Sequence, residues 1–326
     1  MTVGHTRGPR RIRAPHAALV AVLAAAVVLT GCATSPAAES PIVTAAAGGA
    51  VATSIVVDGI DRTYLVRAPE RAVADAPLPL LLVIHGAGGN AAKAEAATGM
   101  TGLSDADGFI VAYPQGTQAA DVAGEYSWNA GACCANPVKN NIDDVGFINS
   151  VIDNIATDYP VDPARIYVAG FSNGGMLAYR LACELDRRVA GIAVVSGALN
   201  VTSCEAPAAT SVLMIHGTGD LTVPYTGGKT NERTAGRFGQ WTNASLDDAV
   251  SYWSGRDGCT GEPATSVDGS VTHATFAACE EGVKLDVVTI DGGGHVWPSK
   301  ARGMFDASHL ITEYFGLSAP EATLAQ

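Results

Sequence analysis

The 326-residue sequence predicts an α/β domain over 53–318, a mostly parallel sheet with helices on both faces. Three observations carry that expectation. Short apolar runs alternate with amphipathic stretches of helical period; several runs are apolar throughout, as strands covered on both faces must be; and glycine-rich loops follow them, at the sheet edge where such folds place their sites. No internal repeat is evident, and the length fits one large domain.

The order opens with alternating strands at 54–57 and 62–66 around Asp58-Gly59, a dipeptide suited to a tight hairpin turn. The apolar runs 80–84 and 109–113 read as strands, and 144–158 as a helix. The strand 165–169 leads straight into a helical pattern at 176–184. Strands then follow at 191–195 and 211–215, a helix at 246–253, a last strand at 285–290 and a closing amphipathic helix at 306–315.

Between the strand 165–169 and its helix lies Gly170-Phe171-Ser172-Asn173-Gly174. A serine at the apex of a strand-to-helix turn exposes its hydroxyl at the carboxyl edge of the sheet, and the flanking glycines leave room for so tight a turn. The first N–H groups of the helix face the same spot and favour negative charge there. Ser172 is therefore the candidate nucleophile. A hydroxyl needs an imidazole to take its proton and a carboxylate to orient that imidazole. Downstream, 211–215 runs into His216-Gly217-Thr218-Gly219-Asp220, and 285–290 into Asp291-Gly292-Gly293-Gly294-His295. Asp220 is the candidate acid, with Asp291, Asp143 and Asp144 as competitors, and His295 is the candidate base. The other histidines lack that position: His5 and His16 lie near the N-terminus, His273 and His309 in polar or amphipathic stretches, and His216 precedes the acid as a packed loop residue.

An oxyanion would be held by the Asn173 N–H and by a second N–H from the loop after 80–84, His85-Gly86-Ala87-Gly88-Gly89-Asn90. Ala87 is the candidate donor, Gly88 its alternative. The loop lacks the lysine and hydroxyl of a phosphate-binding loop. Trp128 and Trp297 lie in loops beside the site and are the candidate substrate-binding residues, flat walls for an acyl or sugar face; Trp297 fits equally well as packing beneath the histidine loop. Tyr225 reads as structural.

His85-Gly86-Ala87-Gly88-Gly89, Tyr113-Pro114-Gln115-Gly116, Trp128-Asn129, Asp143-Asp144-Val145-Gly146-Phe147, the Ser172 block through Met176, the Asp220 block with Val223-Pro224-Tyr225, and Gly292-Gly293-Gly294-His295-Val296-Trp297-Pro298 run in order along the chain. Together they resemble the secreted polyhydroxybutyrate depolymerase and feruloyl-esterase-like α/β-hydrolases, which include lipoprotein members. The resemblance implies an α/β-hydrolase fold and an extracytoplasmic serine esterase acting on hydroxyalkanoate, feruloyl or acetyl esters through a Ser172–Asp220–His295 triad. The stretch 230–241 departs from the pattern in being longer and more polar, which bears on substrate preference. Two other classes compete: an acyltransferase using the same triad, and a non-catalytic envelope lipoprotein that keeps the fold as a binding surface. No separate polymer-binding module is evident, and no cofactor is implied.

The N-terminus addresses location. Four arginines precede an apolar core at 17–29, short for a membrane span and right for a signal peptide, 1–31. Leu29-Thr30-Gly31-Cys32 has the small-residue context of a bacterial lipoprotein signal, and the resemblance implies that Cys32 becomes the lipidated first residue. A flexible Ala/Ser/Pro/Gly tether, 32–52, follows, and 319–326 forms a tail. The chain has 20 Lys and Arg against 32 Asp and Glu, net −12; loss of the leader removes four arginines and no acid, leaving −16. So acidic a protein disfavours nucleic acid and anionic lipid as partners, so membrane attachment would rest on the N-terminal lipid alone.

Besides Cys32 there are six cysteines, an even count that fits bridges in an oxidising compartment. No zinc-type spacing occurs. Cys259 and Cys279 flank a polar excursion, and bridging them would close a modest loop for about 3 kcal/mol. Cys133 and Cys134 are adjacent, and each is expected to reach Cys183 or Cys204.

Overall fold

The computed structural model describes residues 49–70, 77–120, 123–185, 187–201, 204 and 208–317. The leader, Cys32, most of the tether and the tail lie outside the described residues. Strands β1 (Val51–Val57) and β2 (Ile60–Arg67) form the opening hairpin. Asp58 and Gly59 at its turn take φ of 51° and 75°, the left-handed pair that matches the twist of two-residue hairpins. Then come β3 (Leu78–Ile84), helices α1 (Ala91–Thr98) and α2 (Met100–Asp107), and β4 (Ile110–Pro114). A small ladder of β5 (Thr117–Gln118) and β6 (Tyr126–Ser127) leads to α3 (Ala135–Lys139) and α4 (Asp144–Asp158). The elbow unit is β7 (Val161–Phe171) and α5 (Asn173–Glu184), followed by β8 (Gly191–Val195) and β9 (Ser211–Gly217). A second small ladder, β10 (Gly228–Lys229) with β11 (Thr242–Asn243), brackets α6 (Glu232–Phe238). The chain closes with α7 (Leu246–Arg256), β12 (Ala264–Asp268), β13 (Val271–Phe276), β14 (Leu285–Ile290) and α8 (Ala307–Tyr314).

Ten strands make one sheet in the order β1-β2-β4-β3-β7-β8-β9-β14-β13-β12. The six from β4 to β14 are mutually parallel, and each flank carries an antiparallel hairpin. Strand β3 shows why both faces must be covered. Leu80, Leu82 and Ile84 enter one apolar cluster with residues of α4, α5 and α7, while Leu81 and Val83 enter a second with residues of α1, α2 and α8. Period-two alternation across a doubly covered strand therefore appears in sequence as an unbroken apolar run.

Two expectations are corrected. The polar excursion between Cys259 and Cys279 contains the β12–β13 hairpin, which extends the sheet; its Thr- and Val-bearing strands suit an exposed edge, where no continuous apolar face is needed. The bridges are Cys259–Cys279, Cys183–Cys204 and Cys133–Cys134, so the adjacent pair joins to itself. Helix length explains this. The Asn173 amide reaches Cys133 Sγ at 3.6 Å at the start of α5, whereas Cys183 lies near its end, about 15 Å along the axis. Cys204 returns to that far end, with its Cα 4.8 Å from that of Cys183.

Candidate active site

Strand β7 hands the chain to α5 through Ser172, whose φ of 55° and ψ of −122° place a non-glycine residue in strained backbone. Its N–H donates to Val195 O on β8 (2.9 Å), tying the strained residue to the sheet. A Cβ on Gly170 would lie 2.2 Å from Gly174 O, and one on Gly174 would lie 2.3 Å from Ile84 O. Backbone approach this close is what demands the two glycines.

Strands β9 and β14 are adjacent and parallel, so the loops after them emerge side by side. His295 Nε2 lies 2.9 Å from Ser172 Oγ, and His295 Nδ1 lies 2.7 Å from Asp220 Oδ2. With Nδ1–H donating to the carboxylate, Nε2 is left to accept the serine proton. Asp220 Oδ1 accepts the N–H groups of Thr222 (2.8 Å) and Val223 (2.9 Å). His216 is buried beneath this loop. Its Nε2 faces the Val223 carbonyl at 2.9 Å, so that nitrogen carries the proton, and it also lies 3.4 Å from Asp220 Oδ2. Burial pushes the Asp220 carboxyl up, but the hydrogen bonds from His216, His295 and Val223 outweigh it and hold the group well below the usual carboxylate range. The sequence offered His216 as a packed loop residue; it is packed, and in addition it supports the acid.

The competing acids are occupied elsewhere. Asp143 caps α4 by accepting from Gly146 N–H (2.8 Å). Asp144 is fully buried against Arg62 (2.7 Å) and accepts from Asn129 N–H. Asp291 accepts from the Thr218 hydroxyl (3.2 Å).

Across the cleft from His295, the loop after β3 presents Ala87. Gly88 N–H is committed to Tyr126 O (2.8 Å) and Gly89 N–H to Gly86 O (2.9 Å), while among the described residues the N–H groups of Ala87 and Asn173 have no partner. The alternative donor, Gly88, is thereby occupied. Two buried rings shape this loop. His85 donates from Nδ1 to Gly86 O (2.9 Å) and accepts the Gly116 N–H at Nε2 (3.1 Å), which fixes a neutral ring.

Trp128 is wholly buried, so it offers substrate no face. Its indole N–H donates to His85 O (2.8 Å), its backbone N–H donates to Asn173 Oδ1 (2.8 Å), and the Asn173 amide donates to Trp128 O (3.2 Å). An indole in the hydrophobic interior must find an acceptor, and the one it finds joins the oxyanion loop to the nucleophile turn. Trp297 is likewise buried under the histidine loop, with its N–H donated to Ser308 Oγ (3.0 Å). Trp128 is therefore not the predicted substrate wall, whereas Trp297 takes the packing position also expected of it and lines the smaller cavity beside His295.

The walls come from elsewhere. A cavity of about 600 Å³ opens over Ser172, Ala87 and Asn173, bounded by Met176, the Cys133–Cys134 bridge and Trp241 and closed over by α6. Asn231 caps that helix by accepting from Thr234 N–H (2.9 Å). Helix α6 lies within the stretch flagged in sequence as long and polar. Its residues are exposed or half-buried, so no apolar periodicity announced their place at the site. A second cavity of about 260 Å³ lies behind His295, between α1 and the histidine loop.

A parallel sheet with a strained serine elbow at its carboxyl edge, followed in chain order by acid and histidine, defines an α/β-hydrolase. Residues 134–249 match the family model described as Phospholipase/Carboxylesterase. The "Putative esterase NocK" of Nocardia uniformis subsp. tsuyamanensis is 32% identical over 260 residues, covering 76% of this chain and 74% of that protein. Feruloyl esterase B of Piromyces equi is 31% identical over 239 residues, covering 72% of this chain but only 42% of that protein. Among solved structures, an acetyl xylan esterase from Aspergillus awamori superposes with a TM-score of 0.57 over 82% of this chain and 99% of its own, at 14% identity, a likeness of fold alone. The chain belongs to the phospholipase/carboxylesterase family of α/β-hydrolases.

Proposed function

We propose that this protein is an extracytoplasmic serine esterase that hydrolyses carboxylic esters through an acyl-enzyme on Ser172. The observation that carries the reading is the convergence of the Ser172–His295–Asp220 relay, at 2.9 and 2.7 Å, with two amide N–H groups at the floor of one cavity that have no partner among the described residues. Ser172 Oγ attacks the ester carbonyl as its proton passes to His295 Nε2. The carbonyl oxygen becomes an oxyanion held by Ala87 and Asn173 N–H, and Asp220 steadies the imidazolium. Collapse expels the alcohol, which takes the proton from His295. Water then attacks the acyl-serine by the same route, releasing the acid and restoring the serine.

The similarity to a feruloyl esterase supports esters with a compact or aromatic acyl group, and the cavity has the volume for one. Location is argued from the leader and from cysteine chemistry: all six cysteines beyond Cys32 are bridged, as an oxidising compartment allows. Lipidation at Cys32 would then anchor the enzyme to the envelope.

The test is fluorophosphonate labelling together with p-nitrophenyl acetate, butyrate and feruloyl ester turnover. Ser172→Ala abolishes labelling, and Ser172→Ala and His295→Ala each lower kcat by at least about a thousandfold with the fold retained. Undiminished turnover in either variant reassigns the nucleophile or the base.

A further inference from the structure

The net charge of the chain is −12, yet among the described residues no carboxylate lines either cavity beside the triad. Four cations do: Arg233 and Arg237 in the larger, Lys93 and Arg302 in the smaller. An acidic protein repels anions at long range, so cations gathered at the site alone act against the surrounding field.

Within the larger cavity the two arginines differ. Arg237 is held by Glu125, through bonds from both Nε and Nη2, and its charge is matched. That pair fixes the end of α6 to the segment carrying Tyr126, whose carbonyl holds the oxyanion loop at Gly88. Asn231 Nδ2 donates to Leu221 O (2.6 Å), fixing the other end beside the acid loop. Phe238 also touches the oxyanion loop, since a Cβ placed on Gly88 would lie 3.2 Å from its ring. The helix is therefore tethered at both ends across the mouth. Arg233, one turn before Arg237, lines the cavity with a side chain that has no hydrogen-bond or ion-pair partner among the described residues.

We propose that the preferred ester carries a carboxylate on its acyl part, and that Arg233 reads it. The substrate class is the monoester of a dicarboxylic acid. The inference rests on the esterase reading above. The planar guanidinium presents paired N–H donors that match a carboxylate's two oxygens. Hydrolysis leaves that carboxylate untouched; its part is to hold the acyl chain along the cavity while the carbonyl stays at the Ala87 and Asn173 N–H groups.

The experiment compares the mono-p-nitrophenyl ester of adipic acid with p-nitrophenyl hexanoate on the full-length protein, reading the ratio of the two kcat/KM values. Wild type favours the adipate by about fivefold or more, through a lower KM, and the preference shrinks as ionic strength rises. Arg233→Gln lowers the ratio by about the same factor, whereas Arg233→Lys, which keeps the charge but not the fork, retains part of it. Hexanoate turnover with no adipate preference in wild type, or a ratio unchanged in Arg233→Gln, overturns the proposal and leaves the esterase reading intact. If wild type cleaves neither ester and takes no fluorophosphonate label, both readings fall.

Discussion

Acidification is expected to unfold this protein partly through His85, at the start of the oxyanion loop. The ring is 3% exposed, packs on Trp128 at 4.9 Å between centroids, and has both nitrogens engaged. Burial is the chief cause lowering its pKa to about 4, opposed by the Gly86 carbonyl and aided by the charges of Lys93 and Arg62. In the unfolded chain the ring titrates near its ordinary value of about 6.5. Between those limits the unfolded state binds the proton and the folded state does not, so stability is full above the upper limit and falls as pH drops toward the lower one. The difference amounts to about 2 kcal/mol between about pH 7 and pH 5, and about 3 kcal/mol by pH 4.

Asp257 acts in the opposite sense over part of the same range. Burial against the opposing charge of Arg256 raises its carboxyl to about 6, so it gains stability as pH falls. Total stability is therefore a poor readout, and the comparison must be with a variant. His85→Gln removes the titrating ring while keeping an acceptor within reach of the Gly116 N–H. Urea unfolding at a series of pH values should show wild type losing about 2 kcal/mol more than His85→Gln between pH 7 and pH 5. Parallel curves for the two proteins would refute a neutral, buried His85.

Three further perturbations test the frame around the site. Trp128→Phe deletes the N–H donated to His85 O and leaves a buried carbonyl unpaired; it should cost about 1–3 kcal/mol by denaturant titration and lower kcat more than it changes KM, because it loosens the oxyanion loop against the nucleophile turn. Gly174→Ala puts a methyl 2.3 Å from Ile84 O, so little soluble folded protein should be recovered, as judged by yield and circular dichroism. Replacing Cys259 and Cys279 together by serine opens a loop with a sequence separation of 20; a stability loss of about 3 kcal/mol is expected, with p-nitrophenyl ester kinetics little changed because neither residue lines the two triad cavities.

Much of the frame was legible because it is periodic. The helix expected at 144–158 and the strands expected at 191–195 and 285–290 have the bounds observed, since buried elements leave apolar stretches whose length and flanking turn residues separate helix from strand. Elements without a buried face left no such trace. Strand β12 is exposed at all five positions, and α6 buries none of its residues, so neither carries an apolar stripe. The bridge pairing failed for a geometric reason: whether Cys133 can reach Cys183 depends on which end of α5 each one meets, and pairing order does not record that.

The site divides along the same line. Ser172, Asp220 and His295 were legible because each must follow a strand at one edge, and chain order then leaves few choices. Trp128 was misread because an indole beside an active site carries the same letter whether its face lines the cleft or its N–H pins two loops together. Only depth separates the two uses, and depth comes from neighbours distant in sequence. The same blindness hid α6, although its polarity was visible. Polarity in a stretch that leaves no residue buried marks either a solvated face or the wall of a polar-ligand cavity. Arg237 and Arg233 both line the cavity from this one helix, the first with its charge matched by Glu125, the second with its charge unmatched among the described residues. On the Arg233 proposal, substrate choice in this protein is set where sequence periodicity is weakest, on a short polar stretch whose role depends on what lies opposite it.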